Sequence, residues 1–249
     1  MQASFLPPLP RIIGHRGVRG RAPENTLAGF RKAAGMGLSW VEFDVALTAD
    51  EVPVLLHDET LDRTTAGEGP LAEATWAGIR GLDAGSWFGP EFAGERIPSL
   101  EEAVDLLREL GLGANVEIKP TPGREAATGE RVACVLRSLA PDSPVSTILS
   151  SFSQPALRAA RTNAPRIPRG LLVREVAPGW RATLEELGCG LLHSGHEALT
   201  REAVDSVREA GYPLLAFTVN ERPRARQLFS WGVQSVFSDD PEALLPLDD

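Results

Sequence analysis

The chain has 249 residues, is 43% hydrophobic and carries a formal charge of −9 without a run of five basic residues. This length and apolar content suit an α/β barrel with a large core, and the charge excludes broad contact with nucleic-acid backbones or anionic membrane surfaces. No window approaches about 18 uninterrupted apolar residues, so no membrane span is expected, and residues 1–8 lack the basic and apolar regions of a secretory leader.

In chain order, residues 11–14 form a short apolar run that reads as a strand, and His15-Arg16-Gly17 follows it. Gly17, Gly20 and Pro23 hold an irregular loop that leads to Glu24-Asn25-Thr26. Residues 27–36 are amphipathic and give way to Gly37 and a strand at 40–45. Residues 52–57 read as a further strand or the outgoing limb of a hairpin. Residues 58–98 are rich in Gly, Thr, Asp and Pro, with one helical patch near 73–79. Residues 46–98 are therefore read as an insertion between the second barrel strand and its helix, and long insertions in compact folds are often functional. Ser99 and Glu102 then have the spacing of a capping box.

The pattern of amphipathic run, glycine and apolar strand recurs, with strands expected at 114–119, 190–193, 213–218 and 234–237. Further strands are expected at 146–151 and 169–173. Eight strands alternating with helical segments imply a parallel sheet with helical crossovers. In about 250 residues, this favours a closed (β/α)8 TIM barrel over an open doubly wound sheet. The expected organisation is one catalytic barrel over residues 1–249. Cys134 and Cys189 have no C-x-x-C spacing, read as reduced thiols, and fit a cytoplasmic location.

The chemistry concentrates at strand ends. Glu42 and Asp44 are two apart on a strand and share a face, whereas Val41, Phe43 and Val45 take the other. Asn115, Glu117 and Lys119 point inward in the same way, and Pro120 ends their strand. Three converging carboxylates repel unless a cation lies between them, and an all-oxygen set suits Mg²⁺ or Ca²⁺. The bland alternative is a set of buried ion pairs, such as Glu117 with Lys119, which are poor stabilisers. His15, His57 and His193 fall at expected strand ends, where barrel active sites form, and His15 with His57 can serve as base and acid across a phosphodiester. Arg16 suits an anionic oxygen through its planar fork. Lys119 reads as a phosphate contact in preference to a Schiff-base lysine, and His193 as a further substrate contact. Ser150, Ser151, Ser153, Thr218, Asn220, Ser238 and Asp239 either line the pocket or cap helices. Neither a Walker A nor a Rossmann glycine pattern occurs.

His15-Arg16-Gly17, Pro23-Glu24-Asn25-Thr26, Glu42-Phe43-Asp44, His57-Asp58, Glu117-Ile118-Lys119 and Phe217-Thr218-Val219-Asn220 together resemble the glycerophosphodiester phosphodiesterase family, most closely its bacterial cytoplasmic form. The likeness runs from about residue 11 to 243 and includes residues 83–88 and 169–172. It implies a TIM barrel with an insertion after the second strand and a Mg²⁺ or Ca²⁺ ion on Glu42, Asp44 and Glu117. It further implies an acid–base pair of His15 and His57, phosphate contacts from Arg16 and Lys119, and a first loop shaped by Glu24 and Asn25, with Glu24 in or near the metal shell. Phe217 stands where the family commonly has Trp or Tyr. The implied reaction is metal-dependent hydrolysis of a small-molecule glycerophosphodiester to glycerol 3-phosphate and an alcohol through a cyclic phosphate, with no nucleic-acid partner and no stable membrane association. The alternatives are a lysophospholipase D-like activity on the same barrel and a non-catalytic barrel that binds phosphate esters.

Overall fold

Eight parallel strands close into a barrel in the computed structural model, which describes residues 6–139 and 145–245. The elements are β1 (Ile12–Gly14), α1 (Leu27–Gly35), β2 (Trp40–Leu47), β3 (Pro53–Leu55), α2 (Trp76–Ile79), α3 (Leu100–Leu110), β4 (Gly113–Ile118), α4 (Glu125–Ser138) and β5 (Thr147–Ser151). They continue with α5 (Gln154–Asn163), β6 (Arg169–Val173), α6 (Trp180–Leu187), β7 (Leu191–Gly195), α7 (Arg201–Glu209), β8 (Leu214–Phe217), α8 (Arg222–Trp231), β9 (Ser235–Ser238) and α9 (Pro241–Leu244). β1 pairs in parallel with β9 on one side and β2 on the other, which closes the ring.

The expected hairpin limb is β3. It returns antiparallel on β2 through Val45–Leu55, Ala46–Val54 and Leu47–Pro53, and the chain then crosses to α3. This segment has its own small core, in which Leu56, Leu61, Leu71, Ile79 and Ile97 pack on Ala46 and Val54. The residues after β3 are thus held against the barrel. Ser99 and Glu102 form the expected capping box at α3, and Gly111 ends that helix at φ 67°, a conformation that costs glycine little. Helices α4 and α5 end at Leu139 and Ala164 without a glycine, so glycine punctuation does not mark them.

Two-residue periodicity separates two cores. Val41, Phe43 and Val45 face outward and pack under the helices, with Phe43 5.1 Å from Phe30 of α1. Ile13, Trp40, Ile148, Leu191, Leu215 and Phe237 fill the interior, and Leu6 and Leu9 pack against them. Glu42 and Asp44 of β2 and Asn115 and Glu117 of β4 stand beyond them on the inward face, paired in register as Glu42 with Asn115 and Asp44 with Glu117. Among the described residues, no helix is long and apolar enough to cross a membrane. Of the residues 1–8 read as lacking a leader, 1–5 lie outside the described residues.

Candidate active site

Strand register brings the expected carboxylates together. Asp44 of β2 pairs with Glu117 of β4, and Glu42 lies two residues before Asp44 on the same face. Ligand oxygens of Glu42, Asp44 and Glu117 lie within 4.8 Å of one another. Burial, then Asp44, then Glu117 push the Glu42 carboxyl well above the usual range. Burial and Asp44 push Glu117 up to about 8, against the pull of Lys119 and Arg16. Glu42 Oε1 is buried and accepts no hydrogen bond from the described residues. Three hard oxygen donors, one of them orphaned, fit a divalent cation.

The first loop is fastened to this cluster. Arg16 N–H donates to Glu42 Oε2 at 2.8 Å, and Gly17 N–H donates to the Glu42 carbonyl at 2.9 Å. Asn25 Nδ2 donates to Asp44 Oδ2 at 3.0 Å, while Asp44 N–H donates to Asn25 Oδ1 at 3.1 Å. Arg16 and Asn25 have φ of 49° and 56°, a left-handed backbone that costs a non-glycine residue about 1–2 kcal/mol. These hydrogen bonds hold that strained loop over the carboxylates, a common feature of functional sites.

Arg16 is less available than its sequence position implies. Its Nη1 donates to Glu24 Oε1 at 2.7 Å and its Nε lies 3.3 Å from Asp44 Oδ2, with little of the side chain exposed. Glu24 is a hub for arginines and bonds no member of the carboxylate cluster. Burial opposes its charge, but Arg63 and Arg16 bring its pKa down to about 2.

Each of the two expected catalytic histidines has a carboxylate on Nδ1. His15 follows β1, with Nδ1 2.6 Å from Asp239 Oδ1 and Nε2 3.8 Å from Glu42 Oε2. Asn220 Nδ2 donates to Asp239 Oδ2 at 2.9 Å. Burial works against the Asp239 charge, but the bonds from His15 and Asn220 leave its pKa below the ordinary carboxylate value. His57, two residues beyond β3, has Nδ1 2.7 Å from Asp58 Oδ1 and Nε2 3.1 Å from Lys119 Nζ. Burial lowers the His57 pKa, and Arg16 and Lys119 add to that effect against Asp44 and Asp58. An ammonium facing Nε2 and a carboxylate facing Nδ1 select the neutral ring with its proton on Nδ1.

A chain of polar contacts then links these residues. Lys119 lies 3.7 Å from Glu117 and touches His57, and His57 touches Asp58. Arg63 Nε donates to Asp58 Oδ2 at 2.6 Å, and Arg63 Nη1 and Nη2 each donate to Glu24 at 2.8 Å. Glu24 holds Arg16, which returns to Asp44. Arg19 lies 3.6 Å from Asp239 and 3.9 Å from Glu24. The six carboxylates Glu24, Glu42, Asp44, Asp58, Glu117 and Asp239 face four fixed cations, Arg16, Arg19, Arg63 and Lys119.

His193 departs from expectation. Strand β7 continues past it to Gly195, which pairs with Phe217, so His193 points into the barrel instead of standing at a strand end. Its ring is fully buried, packs 5.4 Å from Phe237, and has no hydrogen bond from the described residues on either nitrogen. Burial lowers its pKa to about 3. A ring with no exposed surface makes a poor substrate contact. Phe217 ends β8 and packs edge-on against the exposed Phe152, at 5.8 Å. Of the polar strand-end residues, Ser153 caps α5, whereas Asp239 and Asn220 belong to the His15 site. Sequence reasoning did not single out Arg63, an isolated arginine in an irregular segment. Adjacency to His57 was the signal available for Asp58.

Residues 15–243 match the sequence profile of the glycerophosphoryl diester phosphodiesterase family. The chain is 35% identical over 237 residues to a glycerophosphodiester phosphodiesterase of Caldanaerobacter subterraneus, covering 95% of this chain and 96% of that one. It resembles the structure of an Oleispira antarctica phosphodiesterase in complex with its product sn-glycerol-3-phosphate, with TM-score 0.91, 41% identity and 95% of each chain covered. A glycerophosphodiester phosphodiesterase structure from Agrobacterium tumefaciens superposes with TM-score 0.75 at 27% identity, over 95% of this chain and 99% of that one.

Proposed function

The chain belongs to the glycerophosphoryl diester phosphodiesterase family, and on that premise we propose that it hydrolyses glycerophosphodiesters to glycerol 3-phosphate and an alcohol by two-histidine acid–base catalysis. The barrel and its insertion act as one catalytic unit. One observation carries the reading: two histidines, each bonded through Nδ1 to an aspartate, converge with a cluster of three carboxylates. The Oleispira phosphodiesterase, at 41% identity, holds sn-glycerol-3-phosphate as its product, which supports the same product here.

Glu42, Asp44 and Glu117 would hold the divalent cation, Mg²⁺ or Ca²⁺. When bound, it supplies charge neutralisation and Lewis-acid polarisation at a phosphodiester oxygen. Lys119, partly open to solvent beside Glu117, contacts the phosphate, and Arg16 adds positive potential from beneath. His57 Nε2 faces a donor and so retains a lone pair. It takes the proton of the glycerol 2-hydroxyl as that oxygen bonds to phosphorus. His15, whose Nδ1 and Nε2 both face carboxylates, donates a proton to the departing alcohol oxygen as the bond from phosphorus to that oxygen breaks. Water then opens the cyclic phosphate with the roles reversed. Both cysteines are unpaired, which supports a reducing compartment, the cytoplasm.

The test is glycerol 3-phosphate release from glycerophosphocholine by protein stripped of metal and reloaded with Mg²⁺ or Ca²⁺. Release that depends on the added ion is expected, and equal release after exhaustive chelation would remove the cation from the mechanism. The exposed Phe152 beside Phe217 favours a second reading, an apolar lysolipid substrate. Faster turnover of a lysophosphatidylcholine than of glycerophosphocholine would select it.

A further inference from the structure

We propose that Arg63, supplied by the segment between β3 and α3, is a positioning residue that sets His57 through Asp58 and locks that pair to the first loop through Glu24. The proposal rests on the phosphodiesterase reading for its kinetic consequence, but not for its geometry. Arg63 touches neither the carboxylate cluster nor a histidine in the contacts above. It bridges two carboxylates, each of which holds a further member of the site.

Asp58 shares both oxygens with it. Oδ2 accepts from Arg63 Nε at 2.6 Å, and Oδ1 accepts from Arg63 Nη2 at 2.9 Å and from His57 Nδ1 at 2.7 Å. Glu24 is similarly divided: Oε1 accepts from Arg16 Nη1 and Arg63 Nη2, and Oε2 from Arg63 Nη1. One planar guanidinium thus uses all three of its nitrogens to connect residues 34 and more positions apart in sequence, which the rigid fork of arginine permits and the single ammonium of lysine does not. Without this brace, the Asp58 carboxylate is free to rotate about its side-chain bonds. His57 then loses the fixed partner that defines its tautomer and ring plane. Glu24 keeps Arg16, so the first loop and the carboxylate cluster stay in place. The defect falls on proton transfer, while substrate affinity and metal affinity remain.

Three measurements on Arg63→Ala and Arg63→Lys test the proposal. The first is steady-state turnover of glycerophosphocholine with saturating Mg²⁺. A fall in kcat of about 10–100-fold is expected, with KM and the calorimetric Kd for Mg²⁺ close to those of the wild type. The second is rescue: millimolar guanidinium should restore part of the kcat of Arg63→Ala, whereas Arg63→Lys should remain impaired. The third needs no turnover. The downfield Nδ1 proton resonance of His57, assigned by its loss in His57→Ala, should vanish or broaden in Arg63→Ala at a temperature where circular dichroism shows the barrel intact. Persistence of that resonance would overturn the proposal whatever the substrate. An unchanged kcat with a lowered Tm would also overturn it, leaving Arg63 a structural brace. A raised KM at constant kcat would make it a substrate contact instead. Wild-type protein that releases no glycerol 3-phosphate while Arg63→Ala loses the resonance would sink the phosphodiesterase reading and leave the positioning intact.

Discussion

The Lys119 ammonium lies 3.1 Å from His57 Nε2, the one ring nitrogen that Asp58 does not hold. The Lys119 nitrogen therefore stands where a second proton on the ring would point. Burial already lowers the His57 pKa, and Lys119 lowers it further. Both favour the neutral imidazole that a general base requires.

Removing that cation should change the pH profile in a definite direction. In Lys119→Met, protonated His57 is less disfavoured, its pKa rises, and the acidic limb of kcat/KM moves to higher pH. Loss of the charged phosphate contact should also lower kcat/KM by about 10–100-fold, from the ~1.5–3 kcal/mol of a charged hydrogen bond. Rate profiles of wild type and variant would check both. An acidic limb that stays in place, or moves to lower pH, would show that another group governs it.

Cation binding should release protons. Without a metal, burial and mutual repulsion raise the pKa of Glu42, and raise that of Glu117 to about 8, so at neutral pH the cluster retains protons that a cation must displace. Apparent affinity for Mg²⁺ should increase as pH rises toward about 8. Calorimetric titrations at pH 7 in buffers of different ionisation enthalpy would measure the released protons directly. The same titration of Glu117→Gln should show weaker binding and less proton release. Binding without proton release would mean that the cluster is already fully ionised.

Much of this arrangement was readable before the fold. The alternation Val41-Glu42-Phe43-Asp44-Val45 states which side chains enter the barrel, because a strand has only two faces, and Glu117 follows the same rule. The partners of the histidines were not readable in that way. Asp239 lies 224 positions from His15 and reaches it because β1 pairs with β9 to close the ring, a contact that no local pattern encodes. Arg63 and Glu24 are 39 positions apart and meet because β3 folds back on β2. His193 misled for the opposite reason. Its apolar neighbours Leu191 and Leu192 mark a strand but not where it ends, and β7 runs two residues beyond it.

That buried histidine should shape acid stability. His193 has a pKa of about 3 in the folded chain against an ordinary 6.5. A depressed folded value means that its contribution is complete above about 6.5 and is lost as pH falls toward about 3, because the unfolded chain binds the proton first. The slope from this residue reaches about 1.4 kcal/mol per pH unit. Replacing His193 with Leu should flatten the decline of Tm between pH 6 and 4 relative to wild type. Gly170→Ala tests the packing around the same ring, since a Cβ there would stand 2.6 Å from His193 Nε2. A loss of about 1–3 kcal/mol is expected from such overpacking. An unchanged urea midpoint would mean that the ring moves aside freely.

The unequal settings of the two histidines should appear as unequal dependence on the leaving group. If His15 donates a proton to the departing alcohol, a leaving group that departs as a stable anion needs little from it. Measured as release of the first equivalent of alcohol, before the cyclic phosphate opens, His15→Ala should lose about 10²–10⁴ in rate on glycerophosphocholine but retain much more of the wild-type rate on the p-nitrophenyl ester of glycerol 3-phosphate. His57→Ala should be impaired to a similar degree on both, because the attacking hydroxyl still has to lose its proton. Asp239→Asn should follow the His15 pattern in milder form, since it removes the carboxylate bonded to His15 Nδ1 at 2.6 Å, and Asp58→Asn should follow the His57 pattern. Recovery of His57→Ala on the nitrophenyl ester, with none for His15→Ala, would exchange the two roles. Equal losses for both variants on both esters would remove the division of labour between the two histidines.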